Sequence, residues 1–284
     1  MTLPDVVGVI GGGRMGAGIA HAFLLAGSKV TLVERDDVSV DAARQRVAEN
    51  LQRSIDRGAA RRSAEEFAGR LHITTDAGDL RDSDLVVEAV FEDPEVKRAA
   101  LRRAESAVTA DAVLASNTSS IPIGEIAAGL ERPGRLLGLH FFNPVPSSAL
   151  VEIVVGAQTE PGFVATARDW VTALGKAPVI VRDAPGFASS RLGVALALEA
   201  IRMVEDGVAT AADIDTAMEL GYRHATGPLR TTDIVGLDVR LGIAEQLHAA
   251  LGERFAPPDL LRRLVAEGHL GRKSGRGFYE WSTG

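Results

Sequence analysis

Apolar and polar positions follow two regimes along this chain. In the first, short apolar runs alternate with stretches of helical period: Val6 to Ile10 reads as a buried strand, Arg14 to Ala26 as a helix and Lys29 to Val33 as a second strand, one βαβ unit. From Val40 to Arg70 the pattern is helical and rich in alanine and arginine, with a break at Gly58, and it is longer than an ordinary crossover. Strand-like runs follow at Leu71 to Thr74, Leu85 to Val87, Ala112 to Ala115, Leu136 to Leu139, Leu150 to Val155 and Ala177 to Val181, with helical stretches at Pro94 to Val108 and Gly162 to Leu174. Such alternation predicts an α/β fold with a doubly wound, mostly parallel sheet and helices on both faces. After Asp183-Ala-Pro-Gly the second regime begins. Ser189 to Glu205, Ala211 to Leu220, Leu237 to Leu251 and Pro258 to Glu267 all have helical period, with no strand among them. The expected organisation is an α/β domain over 1–184 with a helical insert near 40–70, then a smaller all-α domain over 185–284.

Composition narrows the class without naming a function. A length of 284 residues suits two cores rather than one, and 46% hydrophobic with 24% charged residues is an ordinary globular balance. A net charge of -7 argues against a general nucleic-acid binder. The absence of cysteine excludes disulfides, thiolate metal sites and cysteine nucleophiles, and no metal is expected. The opening Met-Thr-Leu-Pro-Asp has no basic leader and no apolar run reaches membrane-spanning length, so the expectation is a cytoplasmic protein with no membrane partner.

Candidate chemistry begins at the first turn. Gly11-Gly12-Gly13-Arg14-Met15-Gly16 fits G-x-G-x-x-G between a strand and a helix, the context in which that spacing binds a dinucleotide on a Rossmann-type sheet. Gly11 permits the tight turn, Gly13 lets backbone approach a pyrophosphate, and Gly16 allows close helix–strand packing, with the helix N-terminus attracting the phosphates. Glu34 ends the second strand, where a carboxylate accepts the adenosine ribose hydroxyls and repels a 2′-phosphate. NAD is the expected cofactor, although Arg35 beside it leaves NADP open. The plainer alternative is a glycine turn that only packs a helix.

Farther on, His140 stands at a strand end and Glu152 near the start of the next strand. An imidazole titrates near neutrality and can take a hydroxyl proton, and a carboxylate on its other nitrogen fixes the tautomer and stabilises the imidazolium. Alone, a histidine followed by two phenylalanines also reads as a packed core residue, and the serines at 116, 119 and 120 as a helix cap. Three segments favour the chemical reading together: Ala115-Ser116-Asn117-Thr118-Ser119-Ser120, Leu139-His140-Phe141-Phe142-Asn143-Pro144-Val145-Pro146 and Leu150-Val151-Glu152. With Gly-Val-Ile-Gly-Gly-Gly at the front and Gly271-Arg-Lys-Ser-Gly-Arg-Gly-Phe-Tyr at the back, the chain resembles the 3-hydroxyacyl-CoA dehydrogenases over nearly its whole length.

That resemblance implies NAD-dependent, reversible oxidation of an L-3-hydroxyacyl-CoA. It makes His140 and Glu152 the acid–base pair and Ser119 the hydroxyl that holds the substrate oxygen. It further places Asn117, Asn143, Glu92, Lys97 and Lys273 around the cofactor, together with Arg14 and Met15 of the glycine turn. Asn50 and Arg57 fall at CoA-contact positions without the usual residue types, and the arginines of the insert, Arg44, Arg46, Arg53, Arg57, Arg61, Arg62 and Arg70, otherwise read as a solvated face. Family members carry an asparagine in Pro-Gly-Phe-x-x-Asn-Arg, where this chain has Ser190, a shorter side chain and a weaker substrate-contact candidate. The resemblance also implies a homodimer paired through the helical domain, with the active site in a cleft between domains. Two alternatives stay open: a dehydrogenase of the same fold acting on a free hydroxy or sugar acid, whose members favour His-Pro-Val-Asn-Pro over His140-Phe-Phe-Asn-Pro, and a cofactor-binding protein without turnover.

Overall fold

The computed structural model describes residues 3–60 and 62–282, so Met1 and Thr2 of the opening segment and Arg61 of the insert lie outside the described residues. The chain divides into two compact units, Met1–Asp183 and Ala184–Gly284.

The first unit is built on strands β1 (Val6–Ile10), β2 (Lys29–Val33), β3 (Leu71–Thr74), β4 (Leu85–Glu88), β5 (Val113–Ser116), β6 (Leu136–Phe141), β7 (Leu150–Val155) and β8 (Ala177–Arg182). They form one sheet in the order β3-β2-β1-β4-β5-β6-β7-β8. Its helices are α1 (Arg14–Ala26), α2 (Asp37–Asp56), α3 (Ala64–Ala68), α4 (Pro94–Ala107), α5 (Ile123–Ala127) and α6 (Pro161–Ala173). β1 and β4 are buried along almost their whole length because helices cover both faces, and this is why they read as unbroken apolar runs rather than alternating ones. The chain winds from β1 through β2 to β3, then returns to place β4 on the other flank of β1. Carboxyl ends of strands at such a reversal open a crevice, and the glycine turn and the Ala89–Glu92 segment both leave the sheet there.

Pairing is parallel up to β6. The β6–β7 pair is antiparallel, joined by the short segment 142–149, since a parallel return would need a crossover of a dozen or more residues. β8 then runs parallel to β7, so the sheet ends in two reversed strands. The long insert is α2 and α3. Helix α2 starts at Asp37, three residues before the pattern suggested, because the Asp36 side chain accepts the Ser39 amide as N-cap, and it buries Ala43, Val47 and Leu51 at helical spacing. A reciprocal cap between Ser63 and Glu66 starts α3.

The second unit contains α7 (Ser189–Glu205), α8 (Ala211–Tyr222), α9 (Pro228–Val235), α10 (Leu237–Leu251) and α11 (Asp259–Ala266), packed around Val194, Leu198, Ile201, Leu229, Leu247 and Phe255. Among its described residues the only extended pairing is a pair of isolated bridges at Arg276. Two buried carboxylates organise it. Asp215 accepts the Leu229 and Arg230 amides at the start of α9 and the Tyr279 hydroxyl, while Asp233 accepts the Phe278 and Tyr279 amides and the Trp281 indole. Helices α5 and α9 are absent from the pattern reading. α5 is a single turn, and α9 is short and carries adjacent β-branched threonines that weaken its periodic signal.

Candidate active site

The glycine turn has three distinct requirements. Gly11 adopts φ +90°, which side chains rarely tolerate. A Cβ on Gly16 would stand 1.7 Å from the Gly11 carbonyl oxygen, so only glycine lets α1 approach β1 this closely. A Cβ on Gly13 would meet nothing within 4 Å, and α1 begins there without a side-chain cap. Open space above uncapped helical N–H groups is where an anion is stabilised, so the turn fits a pyrophosphate. Beside it runs a groove of about 710 Å³, lined by Gly11, Gly13 and Glu34 and walled by the exposed side chains of Val38 and Phe91. Glu34 Oε1 accepts the Gly12 amide, which holds the carboxylate at the end of β2 facing the turn. Arg46, grouped with the solvated insert arginines by sequence, instead lines this groove and donates to the Gly12 carbonyl oxygen at 3.2 Å. Its position on α2 emerges only once that helix packs beside the turn.

A second cavity of about 310 Å³ shares Ala89 and Val90 with the groove and gathers Met15, Glu92, Lys97, Asn117, Ser119, His140, Phe142 and Asn143. Antiparallel register places His140 directly opposite Glu152. The two meet at 2.7 Å, Nδ1 to Oε2, with both side chains buried. An ionised carboxylate only accepts, so Nδ1 carries the hydrogen and Nε2 is the basic nitrogen. Phe142 stacks obliquely on the imidazole, ring centres 4.5 Å apart. Asn117 turns its carbonyl oxygen onto the Phe141 amide at 2.9 Å, which ties the ends of β5 and β6 together. The segment carrying Asn143 is tied down by Lys176, whose buried ammonium donates to the Val145 and Ser148 carbonyl oxygens; burial holds its pKa below the usual lysine range.

Beneath the cavity lies a charge network only partly legible in the sequence. Lys97 is 1% exposed and bonds Glu88 at 2.9 Å and Glu92 at 3.0 Å. Glu88, fully buried, also accepts the Ser116 hydroxyl and the Val90 amide. Glu92 accepts the Thr118 hydroxyl at 2.6 Å and the Ser119 amide at 2.9 Å, so it grips the serine turn. Burial by itself would raise the Glu92 pKa, but Lys97 and these donors outweigh it and keep the carboxyl below its usual range. Glu88 escaped the sequence reading, and Ser116 stood there only as part of the serine motif. The available signal was a glutamate closing the apolar strand Leu85-Val-Val-Glu88, a residue type almost never fully buried unless paired.

The remaining expected positions lie elsewhere. Arg14 is exposed at the first residue of α1. Asn50 and Arg57 lie on α2 and at its C-cap; Asn50 accepts from Arg53, and neither residue lines the groove or the cavity. Lys273 and Ser190 belong to the helical unit, where the Lys273 ammonium pairs with Asp238 at 2.6 Å and Ser190 is half-buried near the start of α7. Among the described residues no group of three metal-ligating side chains is present. A cavity of about 600 Å³ at the amino ends of β1, β4 and β5, between Pro4 and Trp170, contains none of the motif residues.

A glycine-turn dinucleotide groove that opens onto a buried histidine–glutamate pair defines a nicotinamide-dependent oxidoreductase site on a Rossmann-type fold. Sequence models agree in both units: residues 6–184 match the 3-hydroxyacyl-CoA dehydrogenase NAD binding domain and residues 186–281 the C-terminal domain of the same family. The chain belongs to the 3-hydroxyacyl-CoA dehydrogenase family. It is 46% identical to the 3-hydroxybutyryl-CoA dehydrogenase of Mycobacterium tuberculosis over 279 residues, 97% of this chain and 98% of that one. It is 38% identical to human mitochondrial hydroxyacyl-coenzyme A dehydrogenase, covering 97% of this chain and 90% of that protein. Among solved structures, FadB2 of Mycobacterium tuberculosis superposes with a TM-score of 0.94 at 44% identity, over 99% of this chain and 100% of that one. The (S)-3-hydroxybutyryl-CoA dehydrogenase of Ralstonia eutropha gives 0.92 at 37% identity with the same coverage.

Proposed function

We propose that this protein catalyses the reversible NAD-dependent oxidation of an L-3-hydroxyacyl-CoA, of the 3-hydroxybutyryl-CoA type, to the 3-oxoacyl-CoA. The observation that carries this reading is the His140–Glu152 contact in a cavity that also holds Ser119 and Asn117 and joins the dinucleotide groove. His140 Nε2 takes the hydroxyl proton as the alcohol is oxidised, and Glu152 holds the ring and stabilises the imidazolium. Ser119 donates to the substrate oxygen as it becomes a carbonyl, its turn fixed by Glu92. Bound NAD supplies the hydride acceptor, so the alcohol loses one proton to the protein and one hydride to the nicotinamide. Gly11, Gly13, Gly16, Arg14 and Met15 would hold the pyrophosphate side, Glu34 the adenosine ribose and Asn117 the nicotinamide, with Glu92, Lys97, Asn143 and Lys273 as further cofactor contacts. Asn50, Arg57 and Ser190 are weaker substrate contacts.

The chemistry suits a step of fatty acid β-oxidation. A cytoplasmic protein that pairs through its helical unit is the accompanying reading. Exposed Leu192, Leu220, Tyr222 and Val239 support the pairing. No helix among the described residues is long and apolar enough to cross a membrane. The test is to follow reduced-cofactor absorbance with NAD and 3-hydroxybutyryl-CoA. Turnover at ordinary enzymatic rates is expected, and none with any short or medium 3-hydroxyacyl-CoA would sink the proposal. Sedimentation at 29.9 kDa rather than twice that mass would remove the dimer.

A further inference from the structure

The charges beneath the histidine cavity do not cancel. Lys97 Nζ stands 2.9 Å from Glu88 Oε1 and 3.0 Å from Glu92 Oε2, so two carboxylates share one ammonium. Glu88 accepts from Lys97, Val90 and Ser116, and Glu92 from Thr118 and Ser119; both carboxyls act only as acceptors, as ionised groups do. Burial alone would raise the Glu92 pKa, yet Lys97 and Thr118 hold it below the usual range, so this acid is charged at neutral pH. One negative charge is therefore in excess, and Glu152 adds a second whenever His140 is neutral. Keeping an unbalanced charge out of water costs stability. Hydrogen bonding does not require it. Glu88→Gln would still accept from Lys97 and Val90 through its oxygen and would donate to the Ser116 hydroxyl through its amide, leaving each partner satisfied. What the second carboxylate alone supplies is charge, next to a cavity lined by Glu92 and Lys97. In a low-dielectric interior that charge acts over several ångströms and is little screened by salt.

We propose that the excess negative charge of the Glu88–Lys97–Glu92 network raises affinity for NAD relative to NADH, because the oxidised nicotinamide ring carries a positive charge that the reduced ring lacks. This rests on the reading above in which the nicotinamide half reaches the cavity. When the alcohol is oxidised the ring becomes neutral and His140 becomes an imidazolium, so the cavity keeps one cation and the same carboxylates face it on both sides of the reaction.

Fluorescence titration of NADH, and its displacement by NAD, gives both dissociation constants on the full-length protein without turnover. The ratio of the NAD constant to the NADH constant is expected to rise at least about threefold in Glu88→Gln and in Glu92→Gln, since each removes the same excess charge from a different place. In the double variant Glu88→Gln/Lys97→Met the Glu92 carboxylate again leaves one net negative charge, and the ratio is expected to return to within about twofold of the unmodified protein. Equal weakening of both cofactor forms in the single variants, or a raised ratio that the double variant keeps, overturns the proposal and assigns the acids to packing. Should Glu88→Gln fail to fold, Glu92→Gln decides, and an unchanged ratio there overturns the proposal. Failure of the unmodified protein to bind either form overturns the dinucleotide reading itself, a result distinct from a ratio that stays constant.

Discussion

At the scale of single residues, the His140–Glu152 pair makes a sharp claim because each member has a separable task. His140→Ala is expected to lower kcat by about 10²–10⁴-fold with NAD affinity retained, since the imidazole moves a proton while the glycine groove holds the dinucleotide. Glu152→Gln keeps the shape but offers an amide where a carboxylate stood. The imidazolium then loses its counter-charge, so kcat is expected to fall by about 10² or more and its dependence on pH to change. Fluorescence titration of NADH beside the turnover assay separates these roles. Loss of cofactor binding in either variant would assign the pair to packing.

At the scale of elements, the turn between β1 and α1 divides its glycines into those the fold needs and one the ligand needs. Gly16→Ala would push a Cβ into the Gly11 carbonyl and is expected to cost about 1–3 kcal/mol, lowering the melting temperature by roughly 5 °C. Gly13→Ala meets only open space, so it should leave the melting temperature unchanged yet weaken NAD binding about tenfold or more. Equal melting losses in both variants would contradict this division. The segment between β6 and β7 is a comparable device: Lys176, remote in sequence, ties down the backbone that carries Asn143.

For the whole molecule, the buried charges make stability depend on pH. His21 is 4% exposed on α1, bonded to Ser54 on α2, and burial followed by the nearby Arg53 lowers its pKa from 6.5 to about 4. The unfolded chain therefore binds a proton that the folded protein refuses between those values. Stability is full above pH 6.5 and falls as the pH drops toward 4, by about 3 kcal/mol at most. Glu92, with a folded pKa below its usual 4.5, adds a loss only as the pH falls through that value, so the two windows overlap only at the acid end of the His21 range. Urea unfolding at pH 7.5, 6 and 5 should give a steep decline that flattens in His21→Gln. Parallel slopes in the two proteins would rule out His21 as the source.

Much of this was legible along the chain, for a physical reason. Buried parallel strands are largely apolar, so β1 and β2 stand at the residues the pattern marked, as does the more exposed edge strand β3, and the glycine spacing with Glu34 follows from local backbone geometry. Contacts that depend on strand order and register were legible only where the family resemblance supplied them, as it did for His140 and Glu152, which the antiparallel run of β7 against β6 brings face to face. Glu88 and Ser116 sit on adjacent strands whose pairing sequence spacing does not encode, and Lys97 reaches both acids only after α4 packs down. Arg46 was read as a solvated charge until α2 carried it to the glycine turn. Local chemistry determined the elements and the kind of cofactor they receive. Tertiary packing decided which charges are buried, because desolvation and pairing depend on neighbours distant in the chain.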